Sequence, residues 1–580
     1  MWTEVFEVSS SESTWRDGAE DRMKNILLSA DDRSSASDFL ASHITDWPSR
    51  YHLDRRRTNI LRPINFHKSM RVLDVGAGTG VMSRYAAERG ASVVALEGDR
   101  MRAELASLRC EGLSVDVRCG SVDDFDEAEG FDLILVIGVL EYASNHPDGF
   151  SGFLEKLSHL LNPDGTLVVA IENQMGLAYW MGANEDHLNE PWVGLEGYVS
   201  TDLVKTFSKP ALSSLLASAG FEHQNWFYPF PDYKLPLTIL SDRVYMEADR
   251  VDLIDQLVDK PVDRNRAGVL PFFDTRALHR EVIDSGMGEN MSNSFLVLCG
   301  LNESKSIVDE DVIAWRFSGD RKKNFLGVRQ LVVENGTRKI NRKSAYENIS
   351  SESSWLIQRN VDSPAEKYIS GPNLEQLALE SLREGNLKDF ESLLSMFNSW
   401  LTLNTCTPSM NSDTHPFLTD LSAEVLGEEF IDCGFDNLVF EDGTLKLIDD
   451  EWVALGGVNV DLVIARSLHK LSHSIVHSGS KLPWSSDMTI GDLNNKFIEM
   501  FPRDLRAGLL NDFYLAEAAL LSELLGGSEV DHLEDLFEAN RRSMNSVFST
   551  HSTKPTFRKR FSWLKRFPGG RSLARWTRPR

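Results

Sequence analysis

Short apolar runs alternate with amphipathic segments between residues 71 and 300. Six runs have the length and composition of strands: RVLDVGAG, ASVVALEGD, FDLILVIGVL, GTLVVAIEN, EHQNWFYPF and SNSFLVLCG. Helical periodicity follows the first run in VMSRYAAERG, which Gly90 ends, and returns at Lys209–Ala219. Continuous apolar strands separated by amphipathic helices predict a parallel α/β sheet with helices on both faces.

Polar stretches divide the chain into five predicted segments. Residues 1–45 are Ser-rich and acidic, which predicts a loosely held arm, and 302–311 is an acidic linker that separates two domains. The first domain spans 46–301 and contains an inserted helical cap at 231–290. The second domain spans 312–550, and a basic aromatic tail covers 551–580.

The second domain shows a change of pattern along its length. VIAWRFSG, FLGVRQLVVENGTRKINRK and WLIQR predict a small antiparallel sheet, in which ENG indicates a hairpin turn. From Leu374 the pattern is mostly helical, interrupted by two short strands in DNLVFEDGTLKLID. A strand lobe followed by a helical lobe is therefore expected, an α+β organisation.

Composition narrows the class of protein. At 580 residues the chain is too long for one ordinary core, and its formal charge of −26 argues against nucleic acid as a partner. The five cysteines form no CxxC pair, so we expect reduced thiols. The first residues lack a basic region followed by an apolar one, and no apolar run approaches ~20 residues. We expect a cytoplasmic protein.

Glycines cluster directly after the first predicted strand. Gly76, Gly78 and Gly80 form GxGxG, in which the absence of side chains lets the backbone turn sharply and approach a ligand. Glu97 ends the next strand, where a carboxylate can accept both ribose hydroxyls. That acid suits a nicotinamide dinucleotide and S-adenosylmethionine equally, so a nicotinamide-dependent oxidoreductase stays open, although the spacing disfavours it.

The ordered series VLDVGAGTG, VVALEGD, CGSVDDF, FDLILVIGVLEYA and LNPDGTLVVAIEN resembles the motifs of class I S-adenosylmethionine-dependent methyltransferases. The resemblance implies a Rossmann-like seven-stranded domain and S-adenosylmethionine as cofactor. It also implies the cofactor contacts: the methionine end at Asp74, Gly76, Ala77, Gly78 and Gly80, the ribose at Glu97, the adenine at Val122 and Asp123, and the sulfonium at Gly138. Asp123 as a solvated loop acid is an equal alternative.

The loop after the predicted strand GTLVVAIEN carries candidate acceptor-binding groups. It contains Glu185, Asp186 and His187 among the aromatic residues Trp180 and Trp192, a mixture of acids and rings that suits a carbohydrate. We interpret these three polar residues as candidates for proton transfer or acceptor binding. The alternative is a polar loop that only covers the sheet edge.

Three polar residues of the second half have a familiar spacing. Asp432 precedes Asn437 by five positions, and Asp449 follows a strand pair later. The spacing resembles the catalytic loop and metal-binding aspartate of protein kinases. The resemblance implies Asp432 as proton acceptor, Asn437 and Asp449 as Mg²⁺ ligands beside ATP, and Lys343 or Lys339 as the strand lysine.

The kinase pattern is incomplete. Phe430 and Ile431 replace the usual His-Arg, Asp450-Glu451 follow the metal aspartate, and no Gly-rich phosphate loop is present in the sequence. A methyltransferase followed by a kinase-like domain resembles the bacterial proteins that terminate O-antigen polysaccharides by phosphorylation and methylation. A glycan or glycan phosphate is then the expected acceptor. The alternative is an inactive pseudokinase half that serves as a scaffold, with a glycosyltransferase as partner.

The C-terminal tail combines many Lys and Arg residues with five aromatic residues and has no acidic residue. Cations interleaved with aromatic rings suit an anionic membrane surface. We therefore expect the tail to place the protein peripherally at the inner face of the membrane, or to bind an acidic protein partner.

Overall fold

The structure is a computed structural model. It describes residues 6–7, 16–199, 204–263, 274–303, 306–346, 355–358, 365–406, 414–480, 482–483 and 488–543. The basic tail, like most of the first 15 residues, lies outside the described residues.

A mixed sheet, parallel among its first six strands, forms the centre of the first 300 residues. Its strands are β1 (Phe6–Glu7), β2 (Arg71–Val75), β3 (Ser92–Glu97), β4 (Val115–Cys119), β5 (Phe131–Ile137), β6 (Leu161–Glu172), β7 (His223–Phe230), β8 (Thr238–Ser241) and β9 (Ser294–Gly300). The core order is β4-β3-β2-β5-β6-β9-β7, in which β9 is antiparallel to both neighbours. The Rossmann-like prediction is confirmed: the six apolar runs become six strands of this core, and β4 is its seventh.

The helices of this region lie around the sheet. They are α1 (Glu20–Ser29), α2 (Asp38–Ser42), α3 (Trp47–Leu53), α4 (Val81–Glu88), α5 (Arg100–Arg109), α6 (Gly149–Leu160), α7 (Leu177–Trp180), α8 (Lys209–Ser218), α9 (Asp242–Tyr245), α10 (Arg250–Leu257), α11 (Thr275–Asp284) and α12 (Gly288–Met291). Residues on both faces of β5 and β6 are buried, as the continuous apolar runs require.

The N-terminal segment is folded where the structure describes it. Met23 and Leu27 of α1 are fully buried against Leu40, Leu53 and Leu105. The prediction of a loosely held arm is therefore wrong for residues 16–45. Its polar composition concealed an amphipathic helix whose apolar face packs onto α5.

The remaining strands are β10 (Val312–Phe317), β11 (Gly327–Glu334), β12 (Thr337–Ser344), β13 (Leu356–Gln358), β14 (Glu366–Lys367), β15 (Thr405–Cys406), β16 (Val425–Leu426), β17 (Leu438–Glu441), β18 (Thr444–Leu447), β19 (Trp452–Ala454) and β20 (Val458–Asn459). The predicted hairpin joins β11 to β12, and its turn residues Asn335 and Gly336 both have positive φ. The paired strands predicted near residue 440 are β17 and β18.

The strand lobe is not a separate sheet. β10 pairs antiparallel with β8, so that the first domain's sheet continues through β10, β11 and β12 to β14. Among the described residues this gives one mixed sheet of thirteen strands. The linker 302–311 therefore does not mark a boundary between two sheets. The insert 231–290 is also not purely helical, because it supplies β8.

Helices dominate the last part of the chain, as predicted. They are α13 (Leu374–Arg383), α14 (Leu387–Leu403), α15 (Val460–Ser478), α16 (Ile490–Met500), α17 (Leu509–Leu525) and α18 (Glu529–Asn540). Their apolar faces form a second core around α15, in which Leu468 and Leu471 are fully buried. In the described part of the chain, no helix has the length and apolar character needed to cross a bilayer. Four of the five cysteines are buried thiols, and Cys406 is exposed.

Candidate functional site

The glycine loop between β2 and α4 requires glycine at each of its three positions. Gly76, Gly78 and Gly80 have φ of +68°, +57° and +77°. A Cβ on Gly76 would lie 2.6 Å from Val139, and one on Gly80 would lie 2.9 Å from the Cα of Ala106. A Cβ on Gly78 would meet nothing closer than 4.0 Å. The loop is thus tightly packed on both flanks and open at its middle glycine.

Two buried carboxylates lie beside this loop. Glu97 accepts the backbone N–H of Gly78 at 2.7 Å and that of Asp99 at 2.9 Å, and burial raises its pKa. Asp74 accepts the hydroxyl of Ser83 at 2.6 Å, and burial raises its pKa to about 7. Both acids are therefore oriented by hydrogen bonds inside an apolar environment.

The N-terminal segment fixes the glycine loop from outside, which the sequence analysis missed. His52 of α3 donates its Nε2–H to the Asp17 carboxylate at 2.8 Å, and its Nδ1 lies 3.2 Å from the Thr79 hydroxyl. Arg16 donates to Asp99 at 2.7 Å. Arg16 is thus bonded to the loop after β3, and Asp17 is linked to the glycine loop through His52.

The remaining cofactor candidates lie at the carboxyl ends of β4 and β5. Val122 is buried, while Asp123 is exposed and forms an ion pair of 3.0 Å with His146. Gly138 has φ +70°, and a Cβ there would lie 2.6 Å from the Tyr233 hydroxyl. The strand ends thus bring these positions to the edge of the sheet where the glycine loop lies.

Carboxylates and a histidine gather next to Gly138. His187 Nδ1 bonds to Glu185 at 2.9 Å, and its Nε2 lies 3.5 Å from Glu141. Ligand atoms of Glu141, Glu172 and His187 all lie within 4.8 Å of one another. Burial alone would lower the pKa of His187, but its hydrogen bonds to Glu141 and Glu185 raise it to about 11.

Lys234 completes this group, and the sequence analysis did not single it out. Its ammonium bonds to Glu172 and lies 2.6 Å from Asp186. Glu185 also accepts the backbone N–H groups of His187 and Leu188 at 2.8 Å each, so that it orients the loop. The predicted trio therefore lies together, but only His187 faces Glu141 and Glu172. Glu141 and Lys234 come from distant segments, so only the topology could have indicated them.

A second site lies between the strand extension and the helices. A cavity of about 300 Å³ is lined by Asp432, Asp436, Asn437, Asp449, Glu451 and Lys470 on one side and by Arg316, Arg321, Arg329, Arg342 and Lys343 on the other. Residues of the first domain, including Phe230 and Thr238, complete its wall. The structure thus brings Asp432, Asn437, Asp449 and Lys343 to one cavity. Lys339 is not among the lining residues; it pairs with Glu334 at 2.7 Å.

Ion pairs occupy the acids of this cavity. Asp432 pairs with Arg466 and, at 3.1 Å, with Lys470; although burial opposes ionisation, these cations hold its pKa below the ordinary value. Arg329 lies 2.5 Å from Asp449, whose pKa burial nevertheless raises. Asp449 also has φ +61°, a conformation in which a non-glycine residue is strained. The cavity therefore contains many charged side chains, and ion pairs with Arg and Lys neutralise its main carboxylates.

The strand order, the glycine loop and the acid that ends β3 define a class I S-adenosylmethionine-dependent methyltransferase domain. Residues 49–224 match the family described as "Methyltransferase domain". Ubiquinone biosynthesis O-methyltransferases are among the relatives. That of Bradyrhizobium diazoefficiens is 30% identical over 20% of this chain and 44% of its own length, and that of Chelativorans sp. is 33% identical over 19% and 45%. The chain thus spans less than half the length of these relatives.

Solved structures of methyltransferases are also similar to part of this chain. Haemonchus contortus phosphoethanolamine N-methyltransferase 2 is 15% identical over 43% of this chain and 52% of its own, with a TM-score of 0.27. The putative methyltransferase in complex with the Haloferax volcanii Trm112 activator is 16% identical over 46% of this chain and 97% of its own, with a TM-score of 0.29.

Proposed function

We propose that the first domain transfers a methyl group from S-adenosylmethionine to an oxygen of a polar acceptor, a glycan hydroxyl or a phosphate at the end of a glycan. The supporting observation is the turn after β5. Its Val139 packs against Gly76 of the glycine loop, and its Glu141 faces His187. A donor on the glycine loop and an acceptor at the histidine would therefore lie on either side of one short turn.

The described residues fit the cofactor. The space beside Gly78 is open where a ligand would approach the backbone, and Glu97 is held at the end of β3. We assign the methionine end to Asp74 and the loop of residues 76–80, the ribose to Glu97, the adenine to Val122 and Asp123, and the sulfonium to Gly138. The cofactor supplies an already activated methyl group, so the protein has only to bind and orient the two reactants.

The acceptor class is inferred from the site. The curated relatives are named as O-methyltransferases, which favours oxygen as the methylated atom. Carboxylates, an imidazole and the exposed rings of Trp180 and Trp192 offer hydrogen bonds and stacking surfaces that suit a sugar better than an apolar quinol.

Transfer of labelled methyl groups tests this proposal. The purified protein is incubated with S-adenosylmethionine and a bacterial surface glycan, the same glycan carrying a terminal phosphate, or a simple catechol. We expect labelled glycan, and we expect Glu141→Gln to lose at least about tenfold in rate while binding S-adenosylhomocysteine like the wild type. Labelling of the catechol alone would refute a glycan acceptor; absence of S-adenosylhomocysteine binding would refute the methyltransferase.

We also propose that the charged cavity binds ATP with Mg²⁺, and that a kinase-like second half phosphorylates the glycan. Support comes from the convergence of Asp432, Asn437 and Asp449 on one cavity with basic side chains opposite. The cations bound to Asp432 favour the alternative, a nucleotide-binding scaffold without transfer, because they weaken this carboxylate as a proton acceptor.

Measurements of ATP binding and of phosphoryl transfer distinguish an active kinase from a nucleotide-binding scaffold. Calorimetry with ATP and Mg²⁺ should give a heat that Asp449→Asn removes and that the exposed Glu391→Gln leaves unchanged. Loss of phosphoryl transfer in Asp432→Ala would support the kinase, whereas binding without turnover in the wild type would support the scaffold. No binding by the wild type would exclude both.

A further inference from the structure

We propose that Glu141, Glu172 and His187 bind one divalent first-row cation, such as Mn²⁺ or Zn²⁺. The three residues come from the turn after β5, from the end of β6 and from the loop after α7. The role of this ion in holding the acceptor oxygen rests on the proposed methyl transfer, whereas its binding can be measured independently.

The spacing of the ligand atoms suits one central ion. One oxygen from each carboxylate and one ring nitrogen all lie within 4.8 Å of one another. Ligands about 2.0–2.2 Å from an ion are separated by about 3–4.4 Å, so only small side-chain movements are needed. Two carboxylates and one imidazole are a donor set that Mn²⁺ and Zn²⁺ accept.

The two carboxylates have unused capacity. Glu141 and Glu172 are each 1% exposed, and Oε2 of each has no hydrogen-bond partner among the described residues. A buried carboxylate oxygen without a hydrogen-bond partner is unfavourable, because burial has removed its contact with water. Two such oxygens at one place are explained if a cation lies between them.

His187 is held as metal-binding histidines are held. Its Nδ1 is bonded to Glu185 at 2.9 Å, which leaves Nε2 directed toward Glu141. A carboxylate behind the ring orients it and raises the basicity of Nε2, which releases its proton when a cation binds in its place. Glu185 is itself fixed by two backbone N–H groups, so the ring's orientation is determined before any ion binds.

The charge of the group favours a cation. The group contains four carboxylates: Glu141 and Glu185 contact the imidazole, while Glu172 and Asp186 both bond to Lys234. Three protein ligands leave coordination positions for other oxygens, as in catalytic metal sites. Two neighbouring hydroxyls of a sugar are suited to fill these positions.

Titration of the full-length protein with Mn²⁺, followed by the electron paramagnetic resonance signal of the free ion, tests the inference. We expect the wild type to remove one Mn²⁺ per chain from solution and Zn²⁺ to displace it. Glu141→Gln and His187→Ala should each weaken this binding at least tenfold, while His67→Ala, which removes an exposed imidazole elsewhere, should have no effect.

Binding of S-adenosylhomocysteine by each variant reports its folding. Glu185 orients the ring of His187 and is not itself a proposed ligand. If the first two variants fail to fold, Glu185→Gln should weaken Mn²⁺ binding about 10–100-fold. The inference is overturned if the wild type leaves the free Mn²⁺ signal unchanged, or if the variants bind like the wild type. Retained S-adenosylhomocysteine binding without Mn²⁺ binding would remove the metal site and leave the methyltransferase proposal intact.

Discussion

Alanine at Gly80 should destabilise the protein more than alanine at another glycine of the same conformation. Gly80 has φ +77°, and a Cβ there would lie 2.9 Å from the Cα and 3.0 Å from the Cβ of Ala106 in α5. The neighbour is backbone, which cannot rotate away. Gly112 has φ +83°, but its Cβ would meet nothing within 4 Å.

The comparison separates backbone strain from steric overlap. Both substitutions place alanine in the left-handed region, at a cost of about 1–2 kcal/mol. Gly80→Ala adds the overpacking of α4 against α5, about 1–3 kcal/mol. Urea unfolding followed by circular dichroism should therefore show Gly80→Ala less stable than Gly112→Ala by about 1–3 kcal/mol.

Gly78→Ala should separate binding from stability. With φ +57° and open space beside it, this substitution should cost as much stability as Gly112→Ala. It should nevertheless weaken S-adenosylhomocysteine at least tenfold, about 1.4 kcal/mol, because the methyl group occupies the space into which the ligand enters. Equal stability of the Gly80 and Gly112 variants, or unchanged affinity of the Gly78 variant, would refute this account of the loop.

Three further predictions concern buried polar groups. Thr79→Val leaves His52 Nδ1 unpaired and should lower the free energy of unfolding by about 1–3 kcal/mol, measured by urea titration; no change would show that the bond is dispensable. Burial lowers the pKa of His279 to about 4. The contribution of the neutral imidazole to stability therefore falls as the pH drops below about 6.5, the pKa of histidine in the unfolded chain. His279→Gln should flatten the decline of Tm between pH 6.5 and 4, and an unaltered pH profile of Tm would contradict this. Arg329→Gln removes a cation from the partly buried Asp449 and Glu451 carboxylates and should cost about 1 kcal/mol in urea unfolding, part of which the added Asp449→Asn should restore in the double variant.

Much of the first domain could be predicted because its signals are local. A buried strand in a parallel sheet is a continuous apolar run, and the turn that follows β2 needs glycine at Gly76, Gly78 and Gly80. Those requirements are written in neighbouring residues. The amphipathic α1 was missed because its buried apolar residues, Met23, Ile26 and Leu27, stand within a polar, Ser-rich stretch.

Features that depend on distant pairing could not be read from the sequence. Nothing in the four residues of β8 or in VIAWRF indicates that the two strands pair. In the same way Glu141 and Lys234 lie far from His187 in sequence, and only the fold brings Glu141 to this histidine and Lys234 to Glu172. The kinase-like interpretation of the second half is still a prediction. The three polar residues on which it depends, Asp432, Asn437 and Asp449, line one cavity.

The pairing of β8 with β10 makes it difficult to express the two halves of the protein separately. Residues Thr238, Ile239 and Leu240 of β8 face Arg316, Trp315 and Ala314 across the ladder. A truncated protein that ends at residue 301 would expose the unpaired backbone N–H and C=O groups of β8. It would also expose the surface that the indole of Trp315 covers. Such an edge recruits strands from other molecules. Expressed alone, the amino-terminal half should precipitate, because the two halves share one continuous sheet.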